Sequence, residues 1–219
     1  MPDHQEKNIK ETVQYVQSVL EDAEGGHDWW HIYRVWKMSL HIAAKENANL
    51  FIVQLGALLH DIADSKFNDG DEELGPEKAK RFLIELGLDS ETINHIDAII
   101  RNISFHKTFE DKKFDSLELR VIQDADRLDA IGAIGIARAF NYGGYKNFKL
   151  HDPNITPEKY LDKESYKKSD APTINHFYEK LFLLKDMMNT ETAKILAEER
   201  HAYMESFVDQ FMNEWEGNR

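Results

Sequence analysis

The nine residues FIVQLGALL, Phe51 to Leu59, are apolar at almost every position and lead straight into HDIAD, His60 to Asp64. A helix that is hydrophobic all round is a buried helix. Placing His60, Asp61 and Asp64 at its C-terminal end is unfavourable unless something binds or pairs them. The stretch that most constrains the fold is therefore also the place to look for chemistry.

The rest of the chain repeats helical spacing. Between Thr190 and Trp215, apolar residues recur at Ala193, Leu196, Ala197, Met204, Phe207, Val208, Phe211, Met212 and Trp215, the three-to-four spacing of one buried face. Ile93, Ile96, Ile99, Ile100 and Ile103 do the same, with Asp89 or Ser90 as the N-cap. Further helices are predicted over about 5–23, 29–46, 49–62, 76–87, 116–128, 130–141 and 173–188. Alternating strand patterns of useful length are missing, so the expected class is all-α. Turn chemistry predicts breaks at EGG (Glu24–Gly26), NDGDEELGP (Asn68–Pro76) and YGGY (Tyr142–Tyr145). The stretch from Lys146 to Pro172, with Pro153 and Pro157 inside it, reads as a long connection, either a lid or a surface excursion.

Composition narrows the chemistry. With no cysteine, thiolate ligands, disulfides and a cysteine nucleophile are excluded. A formal net charge of −13 disfavours a nucleic-acid polymer, and a small anionic substrate would require cations placed locally. The N-terminal residues MPDHQEKNIKETVQYV lack the pattern of a secretory signal, and no apolar run approaches the roughly 18 residues of a membrane helix. The expectation is a cytoplasmic protein with no membrane partner.

Three segments concentrate ligand-type side chains. In GHDWWHIYRVW, His27, His31 and Arg34 follow at steps of four and three and so share a helix face. In HDIAD, His60 and Asp64 are one turn apart and Asp61 is about 100° around the same helix end. QDADRLDAIGAIGIAR sets Asp124, Asp126 and Asp129 among apolar residues. Imidazole with carboxylate and no sulfur suits a divalent ion such as Mn, Fe, Co, Ni or Zn, and less readily Mg. His31, His60, Asp61 and one aspartate of the third segment would supply it, although a hydrogen-bonded core histidine or an Asp126–Arg127 ion pair accounts for the same residues singly.

HDWWHIYRVW, HDIADSKF and QDADRLDAIGAIGIAR, in that order, resemble the HD superfamily of metal-dependent phosphohydrolases, whose pattern is H…HD…D on helices. The match is closest to small bacterial HD-domain hydrolases, and the C-terminal HFYEKLFLLKDMMNTETAKILAEERHAYMESFVDQF is similar to that family's last helices. The resemblance implies one all-α HD domain over 1–219, with a core of about 25–140 and a C-terminal helical extension of about 173–216. It makes His31, His60, Asp61 and Asp126 the metal ligands and Asp64 the general base acting on the attacking water. One metal is expected. A second would need histidines between the HD pair and the last aspartate, where His95 and His106 stand but Ile103 occupies the position at which relatives often carry histidine. The implied activity is hydrolysis of a small phosphate ester, a nucleotide among the possibilities. The alternatives are a di-iron HD-fold oxygenase, which needs both of those histidines turned inward, and a nucleotide-binding regulator without turnover.

Phosphoryl transfer also needs positive charge around the equatorial oxygens. Arg34 is the first candidate, followed by Lys180, Lys185, Arg138 and Arg200. His27, Asp28 and Asp129 are candidates for orienting a ligand, with Asp28 equally suited to capping the helix that carries His31. Trp29, Trp30 and Trp36 read as packing residues before base-stacking ones. Gly132 and Gly135 lack the strand and GK[ST] of a phosphate loop and read as helix-packing glycines.

Overall fold

The computed structural model describes residues 2–21, 28–63, 73–103, 114–158 and 171–218, and every regular element in them is helical. The fold is all-α. The chain divides into two compact units, Met1–Ala125 and Asp126–Arg219.

The first unit is built around the apolar helix. Helices α1 (Pro2–Val19), α2 (Trp29–Glu46), α3 (Leu50–Leu59), α4 (Leu74–Glu85) and α5 (Ser90–Asn102) precede α6 (Leu117–Asp129), which runs unbroken through the boundary between the units. α3 packs against α1, α2 and α5, which is how a helix without a polar face finds cover on all sides. Ile32, Val35, Ile42, Leu55, Leu58, Leu59, Ile96, Ile99 and Ile122 are wholly buried. Each such side chain contributes about 1.5–3 kcal/mol of apolar burial.

Local chemistry sets the helix ends. α2 begins where Asp28 Oδ1 accepts the His31 backbone N–H at 2.9 Å and ends at Asn47, which takes the left-handed conformation at φ 58°. Asn49 Oδ1 caps α3 by accepting from Phe51 and Ile52 N–H, and Asp89 caps α5 by accepting from Thr92 N–H. α4 starts two residues before the expected Pro76, because a proline in the first turn removes only an N–H that has no partner inside the helix.

The second unit holds α7 (Gly132–Tyr145), the short α8 (Asn175–Glu179), a 3-10 helix over Leu181–Met187 and α9 (Glu191–Trp215). Phe140, Phe177, Phe207 and Phe211 form its aromatic core, with ring centroids 5.9–6.3 Å apart. Two expectations need correction. YGGY is not a break: it is the last turn of α7, and Gly143 is there because a Cβ would stand 2.2 Å from Thr173 Oγ1. The single helix expected over 173–188 is instead α8 followed by the 3-10 helix, separated at Lys180, whose φ of −143° is not helical. No helix among the described residues is long and apolar enough to cross a membrane.

Candidate metal centre

Three helices deliver the donors. His31 lies in the first turn of α2 and is 2% exposed. Asp28 fixes that turn through the backbone of His31 itself, so the capping reading of Asp28 is the one the bond expresses. His60 is the C-cap of α3, and its Nδ1 donates to the Ala57 carbonyl at 2.8 Å. That bond satisfies one of the carbonyls left over at the helix end and also selects the tautomer. With the proton on Nδ1, Nε2 carries a lone pair. It is buried and has no hydrogen-bond partner among the described residues.

An orphaned buried acceptor of this kind is unfavourable by about 1–3 kcal/mol unless something occupies it. One ligand atom each from His31, His60 and Asp126 lie within 4.8 Å of one another, and the two imidazole rings are 5.5 Å apart at 61°. Asp61 Oδ2 is 4.0 Å from His31 Nε2, so the fourth expected donor lies against the group. Two imidazoles and carboxylates, one imidazole nitrogen being without a hydrogen-bond partner among the described residues, are a donor set that fits a divalent cation.

Of the three aspartates on α6, only Asp126 enters this group. Asp124 is wholly buried elsewhere on the helix circumference, and Asp129 pairs with Arg138 at 2.8 Å. His95 turns to the start of α6. Its Nε2 is 3.1 Å from Ser116 Oγ and 3.6 Å from Glu118 Oε2, and its ring packs against Phe114. His27, Asp64 and His106, and residues 159–170 of the long connection, lie outside the described residues.

The candidate cations divide. Arg34 is half-buried on α2, one turn beyond His31. Arg138 donates to the Asp129 carboxylate and carbonyl. Arg200 donates to the Leu128 carbonyl, and burial pushes its pKa down although Asp129 pulls the other way. Lys185 pairs with Glu198 at 3.3 Å. Lys180 follows α8, where its charge and the burial of His176 together hold that imidazole down at about 4, burial being the larger cause. Arg127, which the sequence offered only as an ion-pair partner for Asp126, is 7% exposed and donates to the Met187 carbonyl at 2.6 Å. Only the fold shows the carbonyl.

The HD domain family model matches residues 29–131, a span that contains His31, His60, Asp61 and Asp126. YpgQ of Bacillus subtilis (strain 168) is 42% identical over 208 residues, covering 93% of each chain. The chain belongs to the HD domain family. Its fold is similar to that of an HD-superfamily hydrolase from Bacillus thuringiensis, with 44% identity over 97% of this chain and 98% of that one and a TM-score of 0.79. It is also similar to YpgQ in complex with ADP, with 38% identity over 96% of each chain and a TM-score of 0.77. The helices that carry the donor group are thus those of an HD-superfamily hydrolase fold.

Proposed function

We propose that this HD-domain chain is a metal-dependent phosphohydrolase acting on a small phosphate ester, with nucleotides the favoured class. The observation that carries the reading is His60 Nε2, a buried lone pair without a hydrogen-bond partner among the described residues, inside a group of metal-capable donors. The nucleotide preference draws on the ADP complex of YpgQ.

In this reading His31, His60 and Asp126 hold the ion and Asp61, beside His31, completes the protein's share of the ligands. A divalent ion held there supplies Lewis acidity, which polarises a phosphoryl oxygen and makes water more acidic. The chain's own residues do the rest. The Nδ1–H bond to Ala57 keeps the His60 ring oriented with Nε2 forward. Asp64, three residues beyond Asp61, accepts the proton of the attacking water, as the family resemblance implies. Arg34 shares a face of α2 with His31 and contacts the phosphate, offsetting in one place the net charge of −13.

The test is phosphate release from nucleoside mono-, di- and triphosphates and sugar phosphates with Mn²⁺, with pyrophosphatase added so that either leaving fragment is counted. The wild type turns over at least one nucleotide, and Asp61→Ala loses at least about 100-fold of that rate. Nucleotide binding by both proteins with no release from either would overturn the hydrolytic reading in favour of a regulatory one.

A further inference from the structure

Gly56 sits in the middle of α3, a helix without a polar face. Glycine is among the poorest helix formers, so a mid-helix glycine calls for a packing reason. A Cβ built on it would stand 2.7 Å from Ile122 Cδ1 and 3.5 Å from Ile99 Cγ2. The tip of Ile122 therefore occupies the space that any other residue at position 56 would fill.

Ile122 lies on α6, and α3 and α6 run in the same direction. Near their N-terminal ends the Asn49 backbone N–H donates to Glu118 Oε1 at 3.0 Å. Toward their C-terminal ends His60 and Asp126 meet in the donor group. Glu118, Ile122 and Asp126 step by four along α6, so they lie on one stripe. Gly56 and Ile122 are each one turn before the donor carried by their own helix.

We propose that Gly56 is a positioning residue for the donor group: its bare backbone seats Ile122, and the seated Ile122 sets how far Asp126 stands from His60. This rests on His31, His60 and Asp126 being metal ligands. Ile99 and Ile122 are both wholly buried, so neither has solvent to retreat into. A methyl at position 56 falls about 0.7 Å short of ordinary van der Waals contact, which begins at 3.4 Å. Close-packed interiors transmit such strain, and α6 yields with Asp126 attached. Metal–ligand distances tolerate only about 0.2 Å.

The test is Mn²⁺ affinity, read by paramagnetic resonance of unbound Mn²⁺ on metal-stripped protein, beside the melting temperature. Gly56→Ala binds Mn²⁺ about tenfold more weakly than wild type, the scale of an altered ligand support. Ile122→Val deletes the Cδ1 that the new methyl meets, so Gly56→Ala/Ile122→Val returns to within about threefold of wild type. If Gly56→Ala does not fold, two single variants still decide. Ile122→Val alone weakens Mn²⁺ about threefold, whereas Ile99→Val, which removes a methyl from the same seat but on a helix without a donor, leaves it unchanged. Equal affinity in wild type and folded Gly56→Ala overturns the proposal, as does equal weakening by Ile122→Val and Ile99→Val in step with melting temperature. A wild type that binds no divalent ion overturns the metal reading itself, and this inference with it.

Discussion

Asp126 and Asp129 stand three residues apart on one helix and belong to two clusters of opposite kind. Asp126 converges with His31 and His60, where a buried imidazole nitrogen has no hydrogen-bond partner among the described residues. Asp129 belongs to a cluster in which charges meet charges or carbonyls: Arg138 on Asp129, Arg127 on the Met187 carbonyl, Arg200 on the Leu128 carbonyl. Both are rich in ionisable groups close to the core, and residue type does not tell them apart. What separates them is satisfaction. A polar group already paired stabilises the fold, whereas one held in place without a partner is prepared for something that is not the protein.

Three substitutions press on that contrast, in decreasing order of effect. His60→Ala removes the orphaned nitrogen. Mn²⁺-dependent turnover falls by more than about 100-fold, while the metal-free protein keeps its melting temperature within a few degrees, because among the described residues the Ala57 carbonyl is the one group that loses a hydrogen bond. A large fall in the melting temperature of metal-free protein would make His60 a structural residue like those of the second cluster.

The second concerns His176 in the second unit, held neutral down to about 4 against an ordinary value of 6.5. Below 6.5 the unfolded chain takes up a proton that the folded chain refuses until about 4. Stability therefore falls as pH drops through that window, by on the order of 3 kcal/mol, and is level above it. Chemical denaturation of metal-free protein between pH 7 and 4 measures this, and His176→Gln flattens the contribution. An unchanged slope in that variant would move the pH dependence to other groups.

The third is Arg200→Met, which strips the Leu128 carbonyl of its donor but keeps much of the aliphatic stem that packs at Gly132. The loss is about 1–3 kcal/mol of stability, read as a lowered denaturation midpoint, with Mn²⁺ affinity unchanged. A loss of Mn²⁺ affinity at unchanged stability would merge the two clusters into one functional site.

Much of the fold was legible because its signals are short-range. The bounds of α2 match the expected 29–46, since Asp28 and Asn47 act on groups only a few residues away. Asp89 capping α5 is of the same kind. YGGY misled for the opposite reason: glycine usually marks a turn, but Gly143 answers to Thr173, thirty residues further on. The region after Thr173 kept a helical apolar rhythm, yet the chain tightens to 3-10 geometry beyond Lys180, which periodicity does not distinguish.

At the site, the sequence by itself determined the class of chemistry. Histidine and carboxylate without cysteine, placed at the end of a helix with no polar face, already meant buried donors in need of a partner, and the order of the three motifs already resembled the HD pattern. Tertiary structure decided the rest: that Asp126 and neither neighbour joins the histidines, that His95 turns to Ser116 and Glu118, and that Arg138 and Arg200 are engaged in the packing of the second unit. The reason is physical. Which groups a segment carries is a local property, but whether each is satisfied depends on atoms brought to it from far along the chain.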